Sequence, residues 1–193
     1  MEKLIGNKSK VAVFISGRGS NLNSLIKSSK SKNSPFKIEL IISNNANAIG
    51  LKYAKKSKIK FYIVKYKNVN NSEKQMLKLL KKFKIDLICL AGFLKILSKD
   101  FINSFNKPIL NIHPSLLPKY KGLNTHIKVL KNKDKYSGAT VHLVTPKLDS
   151  GKIILQKKIK VYKLDNLKSL KKKILKIEHK IYPKAVLNFL SNL

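Results

Sequence analysis

The fold of this chain is best inferred from the segment Pro108-Ile-Leu-Asn-Ile-His-Pro-Ser-Leu-Leu-Pro-Lys-Tyr-Lys-Gly122. It opens with an apolar run long enough for a buried strand, and the run breaks at His113-Pro114. Proline has no N–H for a sheet ladder and restricts the residue before it, so we predict a strand that ends at His113. Side chains two apart on a strand point the same way, so Asn111 and His113 emerge side by side. The pattern leaves a plainer interpretation open, in which a structural histidine precedes a proline-rich turn.

Outward from this stretch, short apolar runs alternate with helical patterns. We predict strands over 11–15, 38–42, 61–64, 87–91, 139–144 and 153–161, and helices after Asn21 and over about 47–57, 72–83, 123–131 and 166–190. Strand and helix in alternation predict a parallel α/β sheet with helices on both faces. The later strands follow one another directly, so we expect the sheet to be mixed but mostly parallel.

The charge of the chain is strongly positive. It has 193 residues, which we interpret as one domain over 1–193, with 42 basic and 9 acidic residues and a net charge of +33. Such a balance is typical of nucleic-acid-binding proteins, and a basic protein of that class is one alternative. However, Arg18 is the only arginine, the lysines are scattered, and proteins that read phosphates or bases usually recruit arginine. We therefore expect no specific nucleic-acid partner.

Three observations concern the compartment. Cys89 is the only cysteine, so a disulfide within the chain is impossible, and its apolar surroundings favour burial over reactivity. No apolar run approaches the roughly 18 residues of a membrane-spanning helix, and the N-terminus lacks a secretory pattern. We expect a cytoplasmic protein without a membrane partner.

The first predicted strand runs into a glycine-containing turn, Ser16-Gly-Arg-Gly-Ser-Asn21, which precedes a helical pattern. Glycines at a strand-to-helix turn let backbone amides approach an anion at the helix N-terminus. Leu22 occupies the position of the third glycine of the dinucleotide fingerprint, so we interpret the turn as a monophosphate site. A tight turn without a ligand is the alternative.

Acidic residues are so few that Asp149, in a Pro- and Gly-bounded loop, stands out. Paired with His113, its carboxylate would favour the imidazolium and raise the pKa of that histidine. An amide and a charged imidazole beside a carbonyl stabilise an oxyanion, which suits acyl transfer by direct attack. A surface turn is the alternative for Asp149. The sequence has no zinc-type Cys/His spacing, no Gly-x-Ser-x-Gly elbow and no P-loop lysine motif, so we expect no metal.

Seven segments resemble the phosphoribosylglycinamide formyltransferase family, the folate-dependent formyltransferases of purine biosynthesis. They follow the order of the family and span nearly the whole chain: Ile15–Leu22, Ile42–Asn44, Leu90–Leu97, Leu110–Gly122, Gly138–His142, Leu148–Gly151 and Glu178–Pro183. The resemblance implies a single-domain, Rossmann-like formyltransferase fold, with a phosphate-binding half over about 11–105 and a folate and catalytic half over about 106–193.

The resemblance also implies site residues. The catalytic residues are Asn111, His113 and Asp149. The ribonucleotide-binding residues are Gly19, Ser20, Asn21 and Glu178. The folate-binding residues are Leu94, Lys95, Ile96, Leu97, Asn111, Thr145, Pro146, Lys147, Leu148 and Asp149. The implied reaction moves a formyl group from 10-formyltetrahydrofolate, a co-substrate, to the amine of glycinamide ribonucleotide, in a monomer or weak homodimer.

Two departures from the family pattern concern the folate. Lys95 stands where arginine is common, and Val69-Asn-Asn71 offers no arginine at the start of the next helix, so the glutamate tail is expected to be held differently. Two related families share parts of the pattern. Formyltetrahydrofolate deformylase has the same trio but an extra N-terminal domain. Methionyl-tRNA formyltransferase has an extra C-terminal domain, and we expect neither domain here.

Overall fold

The computed structural model describes residues 8–192 as a seven-stranded sheet with helices on both faces. The strands are β1 (Ser9–Ile15), β2 (Phe36–Ser43), β3 (Lys60–Ile63), β4 (Leu87–Leu90), β5 (Ile109–His113), β6 (Tyr136–Leu143) and β7 (Ile153–Lys160). The helices are α1 (Ser20–Ser29), α2 (Leu51–Lys56), α3 (Val69–Lys82), α4 (Lys99–Phe105), α5 (Thr125–Lys131) and α6 (Leu167–Ser191).

The strand order is β3-β2-β1-β4-β5-β6-β7. β1 to β5 are parallel, whereas β6 pairs antiparallel with β5 and β7 pairs antiparallel with β6. The chain extends the sheet in one direction to β3 and then returns to place β4 on the other side of β1. Ligands bind at such a switch point in α/β sheets, beyond the carboxyl ends of the strands. The predicted mixed, mostly parallel sheet is confirmed.

The central strands are apolar on both sides because each side is covered by helices. One buried cluster joins the sheet to α1, α2, α5 and α6, and the other joins it to α3 and α4. Along β5, Leu110 and Ile112 belong to the first cluster, while Ile109 faces the second. Asn111 and His113 share the face of Ile109 by the alternation of the strand. The predicted end of β5 at His113 is confirmed by the bounds of the strand.

α6 is fixed to the middle of the sheet by a buried tyrosine. The hydroxyl of Tyr182 lies 3.0 Å from the carbonyl oxygens of both Leu90 and Leu110, in β4 and β5. The helix begins with a capping box between Asn166 and Ser169, and it continues through Pro183. This docking fixes the face of α6 that carries Glu178 beside the ends of the parallel strands.

Two helices differ from the sequence prediction. α2 begins at Leu51, since residues up to Gly50 form a turn whose Gly50 N–H donates to the Gly17 carbonyl at 2.9 Å. α4 was not predicted from the sequence, because it has only seven residues and only Phe101 is buried, although Ile102 and Phe105 also pack against the second cluster. Its start is fixed instead by Ser98, whose side chain accepts from the Phe101 N–H.

Candidate active site

A cavity of about 520 Å³ lies beyond the carboxyl ends of β4 and β5. This volume is within the usual range of about 300–1,000 Å³ for small-molecule sites. Of the predicted site residues, those that line the cavity are Asn21, Leu94, Lys95, Ile96, Leu97, Asn111, His113, Thr145, Pro146, Leu148, Asp149 and Glu178. Gly19, Ser20 and Lys147, which the structure also describes, lie outside its wall. Residues from both halves of the chain thus meet around one space.

Asp149 lies beside His113 although the two residues belong to different segments. The loop that leaves β6 first donates the Val144 N–H to the Ile109 carbonyl, at the start of β5, and then returns along β5. Asp149 Oδ2 consequently lies 3.4 Å from His113 Nδ1 and accepts the Gly122 N–H at 2.8 Å. Both side chains are buried, with 7% of each exposed. The structure therefore contains the carboxylate–imidazole pair that the sequence alone could not establish.

The hydrogen bonds of His113 define its tautomer. Nε2 lies 2.8 Å from the carbonyl oxygen of Tyr120, and a carbonyl oxygen only accepts, so Nε2 carries a hydrogen. In the neutral ring, Nδ1 is therefore unprotonated where it faces Asp149. Protonation adds an N–H at this position and charges the ring.

The expected net rise in the pKa of His113 is contradicted, although Asp149 itself acts to raise this pKa. Burial lowers this pKa from 6.5, and it outweighs the Tyr120 hydrogen bond and the Asp149 charge, both of which act to raise the pKa. The carboxylate favours the imidazolium, as expected, but desolvation of the ring is the larger effect. At neutral pH the imidazole of the ligand-free protein is therefore mostly neutral.

The pKa of Asp149 moves in the same direction for a different reason. Burial alone would raise it, but the contact with His142, the hydrogen bond from the Gly122 N–H and the charge of His113 lower it from 3.8 to about 2. Asp149 titrates at a pH where His113 is already charged, whereas His113 titrates beside an ionised Asp149. Around neutrality the pair is a carboxylate next to a mostly neutral ring.

His142 completes this group, although no sequence pattern predicted a role for it. It lies directly opposite Asn111 in the pairing of β5 and β6, with its Nε2 3.2 Å from Asn111 Nδ2 and 3.5 Å from Asp149 Oδ1. Its Nδ1 lies 2.8 Å from the Leu143 carbonyl and therefore carries the hydrogen in the neutral ring. Nε2 then accepts from Asn111, which orients that amide. The sequence does not indicate this contact, because it depends on the register between β5 and β6, which only the structure gives.

The turn after β1 has the geometry of an anion site. α1 makes its first backbone hydrogen bond from Asn23 N–H to Gly19 O, so the N–H groups of Ser20, Asn21 and Leu22 are not used by the helix. Gly19 has φ +69°, and a Cβ there would lie 2.4 Å from the Cα of Gly50. Only glycine fits this close approach, which fixes the loop against the turn before α2.

The side chain of Asn21 lines the cavity and also contacts Glu178. Its Nδ2 donates to Glu178 Oε2 at 2.7 Å, in a buried contact between α1 and α6. Burial raises the pKa of Glu178, and the hydrogen bond from Asn21 acts against this rise. Asn21 Oδ1 is buried and has no hydrogen-bond partner within the described residues. The contact places a carboxylate and an unpaired amide oxygen next to the α1 N-terminus.

Another part of the cavity wall is apolar and partly open to solvent. The segment Leu94–Leu97 contributes Leu94 and Ile96, each 70% exposed, and two further apolar residues of the wall, Leu123 and Leu148, are also exposed. Four exposed apolar side chains around one opening are typical of a surface that binds a largely apolar ring. Lys95 also lines this side of the cavity.

Two properties of the described region bear on other classes of protein. Within residues 8–192, no cluster of three or more His, Cys, Asp or Glu side chains has an arrangement that could hold a metal ion. None of the helices in the same range combines the length and the apolar character needed to cross a membrane.

Comparison with known proteins gives a consistent result. The formyl transferase family model matches residues 9–186. The phosphoribosylglycinamide formyltransferase of Haemophilus influenzae is 40% identical over 180 residues, which is 92% of this chain and 85% of that protein. The crystal structure of phosphoribosylglycinamide formyltransferase from Anaplasma phagocytophilum superposes with a TM-score of 0.88 at 42% identity, covering 92% of this chain and 84% of the other.

The trifunctional purine biosynthetic protein adenosine-3 of Homo sapiens is 42% identical over 182 residues, 93% of this chain. The match covers 18% of that longer protein, so this chain spans about a fifth of it. Matches that cover most of both chains, together with the shared fold, show that the chain belongs to the formyl transferase family, in its phosphoribosylglycinamide formyltransferase branch.

Proposed function

We propose that the protein transfers a formyl group from 10-formyltetrahydrofolate to the amine of glycinamide ribonucleotide. The observation that carries this proposal is the single cavity in which Asn111, His113 and Asp149 meet at the end of β5. Asn21, at the start of α1, and an apolar wall both border that cavity, which suits one phosphorylated and one ring-containing substrate.

The acceptor substrate is assigned to the α1 side. Its phosphate binds the free N–H groups at the start of α1, around Gly19, Ser20 and Asn21, because amides at a helix N-terminus favour anions. Glu178 is a buried hydrogen-bond acceptor nearby and binds hydroxyl groups of the ribonucleotide. This assignment is supported by the Asn21–Glu178 contact at 2.7 Å, which joins the two parts of the site.

The formyl donor is assigned to the apolar side. Leu94, Lys95, Ile96 and Leu97 form one wall for the folate, and the loop Thr145, Pro146, Lys147, Leu148 and Asp149 forms the other. Lys147 lies outside the cavity wall and is therefore assigned to the exposed end of the folate rather than to its rings. Lys95 supplies a single positive charge without the paired donors of an arginine.

The chemistry follows from the donors at the end of β5. The substrate amine attacks the formyl carbon, and the carbonyl oxygen becomes negatively charged in the tetrahedral intermediate. Asn111 Nδ2 has two hydrogens and uses one toward His142, so the second remains available for this oxygen. His113 takes up at Nδ1 the proton that the attacking nitrogen releases, since Nε2 is already engaged by Tyr120, and Asp149 stabilises the resulting imidazolium. The bond between the formyl carbon and N10 of the folate then breaks, and the proton passes to N10, so that tetrahydrofolate leaves.

Several broader statements belong to the same proposal. Residues 1–193 act as one formyltransferase domain, with phosphate binding mainly in 11–105 and folate binding and catalysis mainly in 106–193. The protein works as a monomer or weak homodimer in the cytoplasm, without specific nucleic-acid or membrane partners. Burial of Cys89 in β4 is compatible with a reducing compartment.

The test is a direct assay. Purified protein is mixed with 10-formyltetrahydrofolate and glycinamide ribonucleotide, and formation of tetrahydrofolate is followed by absorbance. We expect turnover that requires both substrates. Equal turnover without the ribonucleotide would indicate a hydrolase, and no turnover at all would contradict the proposal.

A further inference from the structure

Glu73 is a buried carboxylate that the proposed chemistry does not use. It lies on α3, outside the cavity wall, and 4% of its surface is exposed. Within residues 8–192 Glu73 forms no ion pair, so its carboxylate is stabilised only by hydrogen bonds from neutral donors. A buried charge is costly unless hydrogen-bonded, which indicates that these donors are firmly held.

The hydrogen-bond donors to Glu73 are Tyr66, which follows β3, and Ser98, which precedes α4. Oε1 accepts the Ser98 N–H at 2.8 Å and the Tyr66 hydroxyl at 2.5 Å, while Oε2 accepts the Ser98 hydroxyl. Ser98 immediately follows Leu94–Leu97, the segment assigned to the folate wall. Glu73 therefore fixes the position at which this segment enters α4.

Tyr66 contacts Lys95 and Ile96 of the same segment and Phe93 just before it. Its ring meets the Phe93 ring edge to face with centroids 6.1 Å apart, and the Lys95 ammonium lies 5.9 Å from its centroid. Its hydroxyl lies 3.3 Å from the Ile96 carbonyl oxygen. At the other end of the segment, the Leu94 N–H donates to Ser16 Oγ at 2.8 Å.

Leu94 and Ile96 are mostly exposed and therefore make little packing that could hold the segment in place. The hydrogen bonds behind it are what fix its backbone. We propose that Tyr66 and Glu73 are positioning residues that set the shape of the folate wall from outside the cavity. This inference rests on the proposed function and adds to it the residues that determine affinity for the formyl donor.

The test compares Glu73→Gln and Tyr66→Phe with wild-type protein. The amide introduced by Glu73→Gln cannot accept at both positions, and Tyr66→Phe removes the hydroxyl. We expect the KM for 10-formyltetrahydrofolate to rise by about tenfold in Glu73→Gln, as loss of a charge-assisted hydrogen bond predicts, with a smaller rise in Tyr66→Phe. The KM for glycinamide ribonucleotide should change by less than about twofold, since neither Glu73 nor Tyr66 hydrogen-bonds to a residue assigned to the acceptor substrate.

Matched controls exist for both variants. Tyr62→Phe alters a neighbouring tyrosine whose ring packs on Phe83, and Glu39→Gln alters a glutamate paired with Lys37 at the surface. Both controls should leave both KM values unchanged. Tetrahydrofolate binding, measured by calorimetry, gives a readout that does not depend on turnover, and thermal unfolding shows whether each variant is folded.

The outcomes separate the two proposals. If wild-type protein transfers the formyl group but folded Glu73→Gln binds tetrahydrofolate as wild type does, the positioning role is wrong. An equal rise in both KM values also overturns it, since that indicates general destabilisation. If wild-type protein neither binds tetrahydrofolate nor transfers the group, the proposed function itself has failed. If Glu73→Gln does not fold, Tyr66→Phe decides.

Discussion

Asn111 and His142 face each other across the antiparallel pair of β5 and β6, with Asn111 Nδ2 3.2 Å from His142 Nε2. This contact determines which way the Asn111 amide points, because the Nδ1 hydrogen of His142 is directed to the Leu143 carbonyl. The histidine therefore orients the side chain that we propose as the neutral donor of the site. Such preorganisation is a major source of catalytic stabilisation.

His142→Ala is expected to lower kcat by about tenfold or more, because the Asn111 amide is then free to rotate away from the reacting oxygen. His142→Gln keeps an acceptor near the position of Nε2 and should retain more activity. Steady-state kinetics of the two variants would check this. Equal loss in both would mean that His142 acts in some way other than by accepting from Asn111.

His113→Ala should remove most turnover while leaving tetrahydrofolate binding nearly intact. Loss of one general acid or oxyanion partner costs roughly 10²-fold or more in kcat. Single-turnover rates and calorimetric binding would be measured on the same preparation. Turnover close to that of wild type would reject the role assigned to His113.

Asp149→Asn should move the titration of His113 to lower pH. The Asp149 charge raises the pKa of this histidine, although burial keeps the pKa below 6.5. Removing the charge leaves burial less opposed, so the imidazolium forms only in more acidic solution. Histidine proton resonances followed by NMR across the pH range would give the midpoint. An unchanged midpoint would mean that the two residues do not interact in solution.

Gly19→Ala should destabilise the protein and raise the KM for the ribonucleotide. The left-handed backbone at Gly19 costs an L-residue about 1–2 kcal/mol, and the added Cβ would in addition meet the Gly50 Cα at 2.4 Å. Gly17→Ala is a matched control in the same loop, since a Cβ there meets nothing within 4 Å. Thermal unfolding of the two variants provides the comparison. Similar melting temperatures would contradict the importance of this close approach.

The sequence predicted those parts of the fold that depend on local patterns. β5 ends at His113 as predicted, since Pro114 has no N–H to continue the ladder. α4 was missed because it is short, its start depends on one serine cap, and only one of its side chains is fully buried. Short elements of this kind are held by tertiary contacts and have little periodicity of their own.

The sequence indicated residues for the candidate site, but it did not give their full arrangement in space. The sequence identified Asn111 and His113 as neighbours, because a strand fixes that relationship. The approach of Asp149 depends on a loop that turns back along β5, and the role of His142 depends on strand register. The sequence could not predict that the pKa of His113 is lowered, because the lowering is caused by burial of the ring.

The contact between Asn21 and Glu178 joins positions 157 residues apart, one at the start of α1 and the other well along α6. During synthesis, the ribosome must therefore produce almost all of the folded region before the proposed acceptor pocket can take shape. A partly made chain carries the proposed phosphate loop without its acidic neighbour, and its β4 and β5 lack the hydrogen bonds from Tyr182. Catalytic competence should appear abruptly, when α6 emerges and docks, rather than growing as the polypeptide lengthens.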